Sequence, residues 1–257
     1  MDRDLGMNTR SNSKRRAYPP LVLDWREGVN PLPRTPIGNG RPPALPFGQT
    51  PPPYVPTGPA DQPFDFCAHV RKLCESIVAR CEEFRHVDVS RVLFSVTPAR
   101  NCRLHGLQAR VTPLRFRGGE IARRHRGLEY QVQRFCVDGR EMLYIMTFCL
   151  PRFQNQAFDD KLITLFHELF HIGPAFDGDL RRHGGRYQVH THSRKEYDAL
   201  MADMARQYLV GEPDPSLHGF LRLNFAQLRY RHGEFVGIAV PRPKLLPRLR
   251  ENAARER

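Results

Sequence analysis

The spacing of apolar residues in the first two thirds of the chain predicts a helix followed by strands. Apolar positions recur at helical spacing from Phe64 to Phe84, which predicts an amphipathic helix. Residues 91–96 form an apolar run typical of a strand, and residues 128–137 alternate and predict a second strand. Asp138-Gly139 is a strong hairpin signal. The more apolar residues 141–150 are therefore expected to return as a central strand.

The last third of the chain predicts helices separated by short strands. The apolar run between Asp159 and Ile172 predicts a buried helix with acidic residues in its first turn. A short strand is expected from Arg186 to His190, residues 220–228 predict a helix, and residues 234–240 predict a last strand. Between them lies a helix with the apolar face Tyr197, Leu200, Met201, Met204, Tyr208 and Leu209. This order indicates an α+β fold, in which a small, mostly antiparallel sheet is covered on one side by helices.

The N-terminal quarter of the chain is distinguished by proline. Most of the 23 prolines lie in residues 1–62, where a backbone without N–H donors builds neither helices nor sheet interiors. We therefore expect residues 1–62 to be disordered or polyproline-like. Residues 63–245 are expected to form the folded domain, and residues 246–257 a charged tail. The apolar island Leu21–Trp25 either docks onto a folded surface or packs loosely.

The charge of the chain comes almost entirely from arginine. The formal net charge is +13, and lysine occurs only at Lys14, Lys72, Lys161, Lys195 and Lys244. Such a charge is typical of proteins that bind nucleic acid, but an arginine-rich composition also arises from a GC-rich genome. Because the arginines are scattered, nucleic acid is only a weakly supported partner.

The sequence predicts a soluble, cytoplasmic protein. Met1–Arg16 lacks the apolar core of a signal peptide, and the longest apolar run, Met142–Leu150, is too short to span a bilayer. The six cysteines include no C-x-x-C pair, which argues against a zinc ribbon or a redox dithiol. Cys67, Cys74 and Cys81 share one face of the first predicted helix, where we expect free, packed thiols.

The pattern H-E-x-x-H lies in the buried helix predicted before Ile172. His167 and His171 are four residues apart, so on a helix they share a face and can hold one metal ion. Glu168 lies about 100° round the helix, where it flanks the ion. Because buried polar side chains need partners, we predict a zinc site with both histidines as ligands and Glu168 as general base. The alternatives are histidines that bond backbone carbonyls and a purely structural zinc.

The third zinc ligand is expected in the segment that follows the motif. His192 is favoured because it lies between a predicted strand and a predicted helix that would hold it firmly. His190, two residues earlier, would lie on the same face of the strand, while His183 and Asp177 lie in a glycine-rich stretch. Asp177 lies where a metzincin has its third ligand, but the glycine of that pattern is one residue early, at Gly173, and Pro174 occupies its place. The order of preference is His192, His190, and then His183 and Asp177.

The run from Phe148 to Asp198 resembles the phage-type metallopeptidase family of the zincin group. The residues that carry the resemblance are Leu150–Phe153, Lys161-Leu162, His167–Ile172, Phe176–Arg182, His190–Ser193 and Tyr197-Asp198. The family's pattern closes on a histidine followed five residues later by an aromatic residue, which His192 and Tyr197 match. The residue after that histidine is often aspartate, and here it is Ser193. The resemblance implies a zincin-like fold and zinc hydrolase chemistry, without specifying a substrate.

The function predicted from the motif is hydrolysis of a protein or peptide substrate. Zinc would lower the pKa of its bound water toward about 7 and polarise the scissile carbonyl, and Glu168 would transfer the proton to the leaving nitrogen. The candidate oxyanion donors are Tyr187, Tyr197, Arg186, and His190 or His192. A DNA-associated protease resembling the SprT-like zincins and a non-catalytic, zinc-stabilised interaction protein are the alternatives.

Overall fold

A computed structural model describes residues 18–38, 40–100, 105–182 and 194–248. The helices are α1 (Phe66–Arg80), α2 (Phe158–Phe170), α3 (Arg194–Val210), α4 (Pro215–His218) and α5 (Phe225–His232). The strands are β1 (Val22–Trp25), β2 (Arg34–Pro36), β3 (Phe64–Asp65), β4 (Val92–Pro98), β5 (Ala109–Pro113), β6 (Ala122–His125), β7 (Leu128–Val132), β8 (Arg134–Val137), β9 (Arg140–Glu141), β10 (Tyr144–Leu150), β11 (Phe235–Ile238) and β12 (Leu245–Pro247). None of the helices in these ranges is long and apolar enough to cross a bilayer.

The predicted α+β class is confirmed, but the predicted single sheet is replaced by smaller ones. The described strands form four three-stranded sheets, ordered β1-β8-β9, β4-β10-β5, β2-β11-β3 and β12-β7-β6. Each of the first three contains one parallel pair, formed by β1 with β8, β10 with β4, and β11 with β3. Strands distant in sequence pair here, and alternation along a strand does not specify which neighbour it will have.

The central strand β10 is buried along its whole length, as predicted for the return strand. Its seven residues lie between parallel β4 and antiparallel β5. Tyr144, Met146, Phe148 and Leu150 belong to the main core, to which α1, α2 and α3 contribute. Ile145 belongs to a second core with Trp25 and Phe135 on the other side. A strand covered on both faces reads as a continuous apolar run, which is how this one appears in the sequence.

The hairpin at Asp138-Gly139 is confirmed, but the strand predicted before it is divided. Both turn residues have positive φ, 49° and 75°, as a type I′ turn requires. The break falls at Gln133, whose side chain donates to the Pro20 carbonyl at 2.9 Å and whose N–H donates to the Lys244 carbonyl at 2.7 Å. Residues 128–132 and 134–137 consequently join different sheets.

The helix predicted at residues 220–228 is also divided. Residues 219–222 form a 3₁₀ turn, and α5 begins after the Asn224 cap. The buried Lys161 ammonium donates to the carbonyls of Leu221 and Leu223 at 2.8 and 2.9 Å, which attaches this break to α2. Burial lowers the pKa of Lys161 to about 7. The carbonyls that the broken helix leaves free are thus satisfied by a side chain distant in sequence.

The prediction of disorder is corrected for residues 18–62 other than Asn39, while residues 1–17 lie outside the described part. Strand β1 pairs with β8, and β2 pairs with β11. Arg229, Arg231 and His232 of α5 bond to main-chain carbonyls of this segment. Proline lacks a donor but keeps its acceptor, so donors from α5 can hold a proline-rich chain in place. The predicted tail also begins later, because β12 extends to Pro247.

The island around Trp25 is one of the packed parts of this segment. Trp25 is 8% exposed, stacks on Phe135 with ring centroids 5.7 Å apart, and accepts a backbone hydrogen bond from Asp138. Of the two alternatives left open by the sequence, docking onto the folded domain is therefore observed.

We expect Trp25→Ala to destabilise the protein by about 3 kcal/mol, since it removes a large aromatic side chain from a core. Urea unfolding is followed by circular dichroism rather than by tryptophan fluorescence, because Trp25 is the only tryptophan and the variant lacks it. Phe47→Ala is the matched control, since Phe47 is fully exposed. Equal unfolding free energies for the two variants would show that the segment contributes nothing to the core.

Candidate functional site

Helix α2 places the two motif histidines side by side at its C-terminal end. Asp159 and Asp160 lie in the first turn of the helix, where negative side chains interact favourably with the positive end of the helix dipole. Its buried face is formed by Leu162, Leu165, Phe166 and Leu169. The rings of His167 and His171 are 4.6 Å apart, centroid to centroid, and nearly perpendicular at 83°. The spacing read from the sequence therefore brings both imidazoles to one place.

Glu168 lies in an environment that disfavours its charge. Its side chain is 6% exposed, and burial raises its pKa to about 7, against the lowering effect of a hydrogen bond from the Val111 backbone. Its Oε2 atom is buried and has no hydrogen-bond partner among the described residues. A buried carboxylate oxygen without a partner is costly, and a cation or a bound water at this atom would remove the cost.

The strand whose backbone bonds Glu168 lies at the edge of its described sheet. Val111 belongs to β5, which among the described strands pairs only with β10, and β5 packs against α2. The site therefore lies between the motif helix and an edge strand that runs antiparallel to its neighbour. Such an edge can accept a further extended chain by main-chain hydrogen bonding.

Helix α3, which packs against α2, contributes Tyr197 to the site. Tyr197 is buried, and its ring centroid lies 4.9 Å from that of His167 and 6.3 Å from that of His171. Burial, and secondly the nearby Glu168 carboxylate, raise the pKa of Tyr197 above its usual range. Its hydroxyl is therefore a proton donor at neutral pH. Of the predicted apolar face of this helix, Met201, Met204 and Tyr208 are also buried, whereas Leu200 is exposed.

The loop after α2 is fixed by contacts to the central sheet. The hydroxyl of Tyr144 donates to the Asp179 carbonyl at 2.9 Å and accepts from the Gly178 N–H at 3.0 Å. The His171 carbonyl accepts from the Arg181 N–H at 2.7 Å. A Cβ at Gly173 would lie 2.9 Å from the Asp179 carbonyl oxygen, which explains the glycine at the end of the motif helix.

Of the four candidate third ligands, Asp177 alone lies within the described residues. His183, His190 and His192 lie outside the described residues, as do Arg186 and Tyr187. The Asp177 carboxylate accepts the Asp179 N–H at 3.0 Å and lies against Gly119. Within the described ranges, no three His, Cys, Asp or Glu side chains are grouped so as to hold a metal. The structure thus brings the rings of His167 and His171 together, and among the described residues neither Glu168 nor Asp177 joins them in a group that could hold a metal.

Two contributors to the site are not identifiable as such in the sequence. Val111 acts through its backbone, and a backbone amide leaves no signature in residue identity. Arg181 donates through Nε to the Phe170 carbonyl at 2.9 Å, and its guanidinium lies 4.1 Å from the Phe170 ring centroid. Arg181 therefore stabilises the end of the motif helix.

Known proteins provide no relative from which the role of the site could be inferred. No family model matches the chain, and no curated protein or solved structure is significantly similar to it.

The donor set present is suited to a borderline-soft divalent metal. Two imidazoles, with a carboxylate beside them, match the ligands that zinc takes from proteins. The Oε2 atom of Glu168 has no hydrogen-bond partner among the described residues. The water of a hydrated metal ion would supply one. His167 and His171 are accordingly the residues that would hold the ion, and Glu168, their neighbour on the motif helix, would supply a proton acceptor.

We expect His192→Ala to weaken zinc affinity more than Asp177→Ala or His183→Ala, with His190→Ala intermediate. The reason is that His192 lies two residues before α3, whose packing would hold a ligand in place, whereas Asp177 is already used within its own loop. Competition with a chromophoric chelator measures the four affinities. Release of the metal by Asp177→Ala alone would show a metzincin-like site instead.

Proposed function

We propose that this protein is a zinc-dependent metallopeptidase with a zincin-like domain. The single observation that carries the proposal is the buried Glu168 carboxylate, whose Oε2 lacks a partner among the described residues, next to the adjoining rings of His167 and His171. The resemblance of residues 148–198 to the phage-type metallopeptidases supports the same chemistry. The edge strand β5 beside α2 supports a zincin-like arrangement of sheet and helix.

The proposed reaction is attack of water on a peptide carbonyl. A zinc ion, held by His167, His171 and His192, would make water a nucleophile near neutral pH and polarise the carbonyl. Glu168 takes the proton of the attacking water and delivers it to the leaving nitrogen. Burial raises the pKa of this carboxylate to about 7. A general base is most effective when its pKa lies near the working pH.

Two other parts of the site would act on the substrate. Tyr197, protonated and buried beside both histidines, is the candidate donor to the developing oxyanion. Strand β5 offers main-chain groups along which an extended peptide could align. These parts account for a protein or peptide substrate but give no preference for particular side chains.

We expect about one zinc per chain in the purified protein, and little in the variant carrying both His167→Ala and His171→Ala. Elemental analysis after exhaustive dialysis measures the content. His105→Ala is the control, because His105 is exposed and distant in sequence from the motif. Equal zinc in the double variant and the wild type would refute the site.

We expect Glu168→Gln to retain zinc while hydrolysis falls by about 10²–10⁴-fold, since the amide cannot accept the water's proton. Mass spectrometry of a peptide library incubated with each protein measures cleavage, and Glu75→Gln on α1 is the control for an exposed glutamate.

The outcomes of this experiment separate the competing functions. Loss of zinc in Glu168→Gln would make Glu168 a ligand rather than a base. Zinc without any cleavage by the wild type would favour a zinc-stabilised interaction protein.

A further inference from the structure

One surface of the molecule carries three arginines close together in sequence, without an acidic partner among the described residues. The β6–β7 hairpin, Ala122–Val132, contains Arg123, Arg124 and Arg126, and all three side chains are exposed. None of the three forms an ion pair with a described residue. Some exposed arginines on other elements are paired, namely Arg71 with Glu75, Arg85 with Glu82, and Arg206 with Asp203. Others, such as Arg80 and Arg110, are exposed without an ion pair to a described residue, but each is the one unpaired arginine of its element.

The hairpin contains a single acidic residue, and that residue has another partner. Glu129 stands opposite Arg124 in the register of the two strands, but its carboxylate pairs with Arg248 at 3.5 Å. Arg248 also donates its backbone N–H to the Glu129 carbonyl at 2.9 Å. The three hairpin arginines consequently form an uncompensated cationic ribbon, to which we refer below as the basic hairpin.

The geometry of the basic hairpin directs these arginines to different sides. Successive side chains of a strand point to opposite faces, so Arg123 and Arg124 project from opposite faces of the ribbon. Arg126 lies at the tip, where it and Gly127 form the two-residue turn with φ of 49° and 82°. A positive φ is unfavourable for arginine, and asparagine or glycine would form this turn at lower cost.

We propose that the basic hairpin binds the phosphate backbone of duplex DNA. The hairpin is two-stranded only at its end, from Arg124 to Leu128, because β12 pairs with β7 from Tyr130 to Val132. A two-stranded ribbon fits the major groove of B-DNA, which is about 12 Å wide. Arg124 and Arg126 at this end, and Arg123 on the opposite face at its base, would reach phosphates of the groove. The guanidinium group matches phosphate oxygens in a bidentate manner. Tyr130 shares the face of Arg123, which adds an aromatic hydrogen-bond donor to that side.

The structure favours DNA over the other polyanions available to an exposed cationic surface. The deep, narrow major groove of duplex RNA does not admit such a ribbon. A cationic element without a continuous apolar face is attracted to an anionic membrane by charge alone, which contributes only about 1 kcal/mol per arginine. The large apolar side chains exposed at the hairpin are Leu128 near its tip and Ile121 at its base, too few to form such a face.

The test compares two triple variants of the full chain that remove the same charge. One carries Arg123→Gln, Arg124→Gln and Arg126→Gln. The control carries Arg71→Gln, Arg85→Gln and Arg206→Gln, which removes the same number of arginines from ion-paired positions. Fluorescence anisotropy with a labelled 20-base-pair DNA duplex, repeated between 50 and 200 mM NaCl, measures affinity and its salt dependence. Melting curves of both variants establish that they are folded.

We expect the hairpin variant to lose affinity and the control to keep it. The slope of log K against log salt is negative, and loss of three phosphate contacts makes it shallower by about 2.7. The wild-type affinity should therefore fall about 40-fold more than that of the hairpin variant across this salt range. Unchanged zinc content and peptide cleavage in the hairpin variant would show that the two sites are separate.

Three results would overturn the proposal. Equal loss in both triple variants would show that binding reflects only the net charge of +13. No salt-dependent binding by the wild type, or tighter binding to a duplex RNA of the same sequence, would exclude the groove contact. Binding to vesicles containing phosphatidylserine but not to DNA, lost in the hairpin variant, would assign the basic hairpin to a membrane surface.

Discussion

Burial of β10 on both of its faces is the constraint on which the rest of the structure depends. Every residue from Tyr144 to Leu150 is buried, so both faces of this strand must be covered and both edges paired. Helices α1, α2 and α3 contribute to the core on one side, and the Trp25 core covers part of the other. The proline-rich segment is held in place partly because it supplies Trp25 to this second core.

The same strand connects the core to the candidate site. The Tyr144 hydroxyl, at the beginning of β10, bonds both Gly178 and Asp179 in the loop that follows the motif helix. At its edge, β10 holds β5, whose Val111 backbone bonds Glu168. The position of the carboxylate relative to the histidines therefore depends on packing some distance away. This dependence is typical of sites whose chemistry needs a buried, pre-oriented group.

Electrostatics divides the molecule into two kinds of region. In the candidate site, the Glu168 carboxylate is buried, and burial raises its pKa to about 7. On the basic hairpin, the arginines are exposed and act by long-range attraction, which salt screens. The molecule thus combines a buried carboxylate with a group of exposed arginines.

The sequence by itself determined the local features that follow from spacing and residue type. The helix with His167 and His171 on one face, the Asp138-Gly139 turn, the buried return strand and the thiol-bearing face of α1 are all consequences of periodicity over a few residues. The α+β class follows from the same patterns. The predicted zinc and the role of Glu168 derive from residue chemistry and remain proposals.

Tertiary structure decided what periodicity cannot encode. The packing of residues 18–62 depends on donors from Arg229, Arg231 and His232, far along the chain. The division of residues 128–137 depends on a hydrogen bond between Gln133 and Lys244. The burial of Glu168 beside Val111 arises only when β5 meets α2. In each case a long-range hydrogen bond or desolvation determines the outcome, and neither is recorded in the local order of apolar and polar residues.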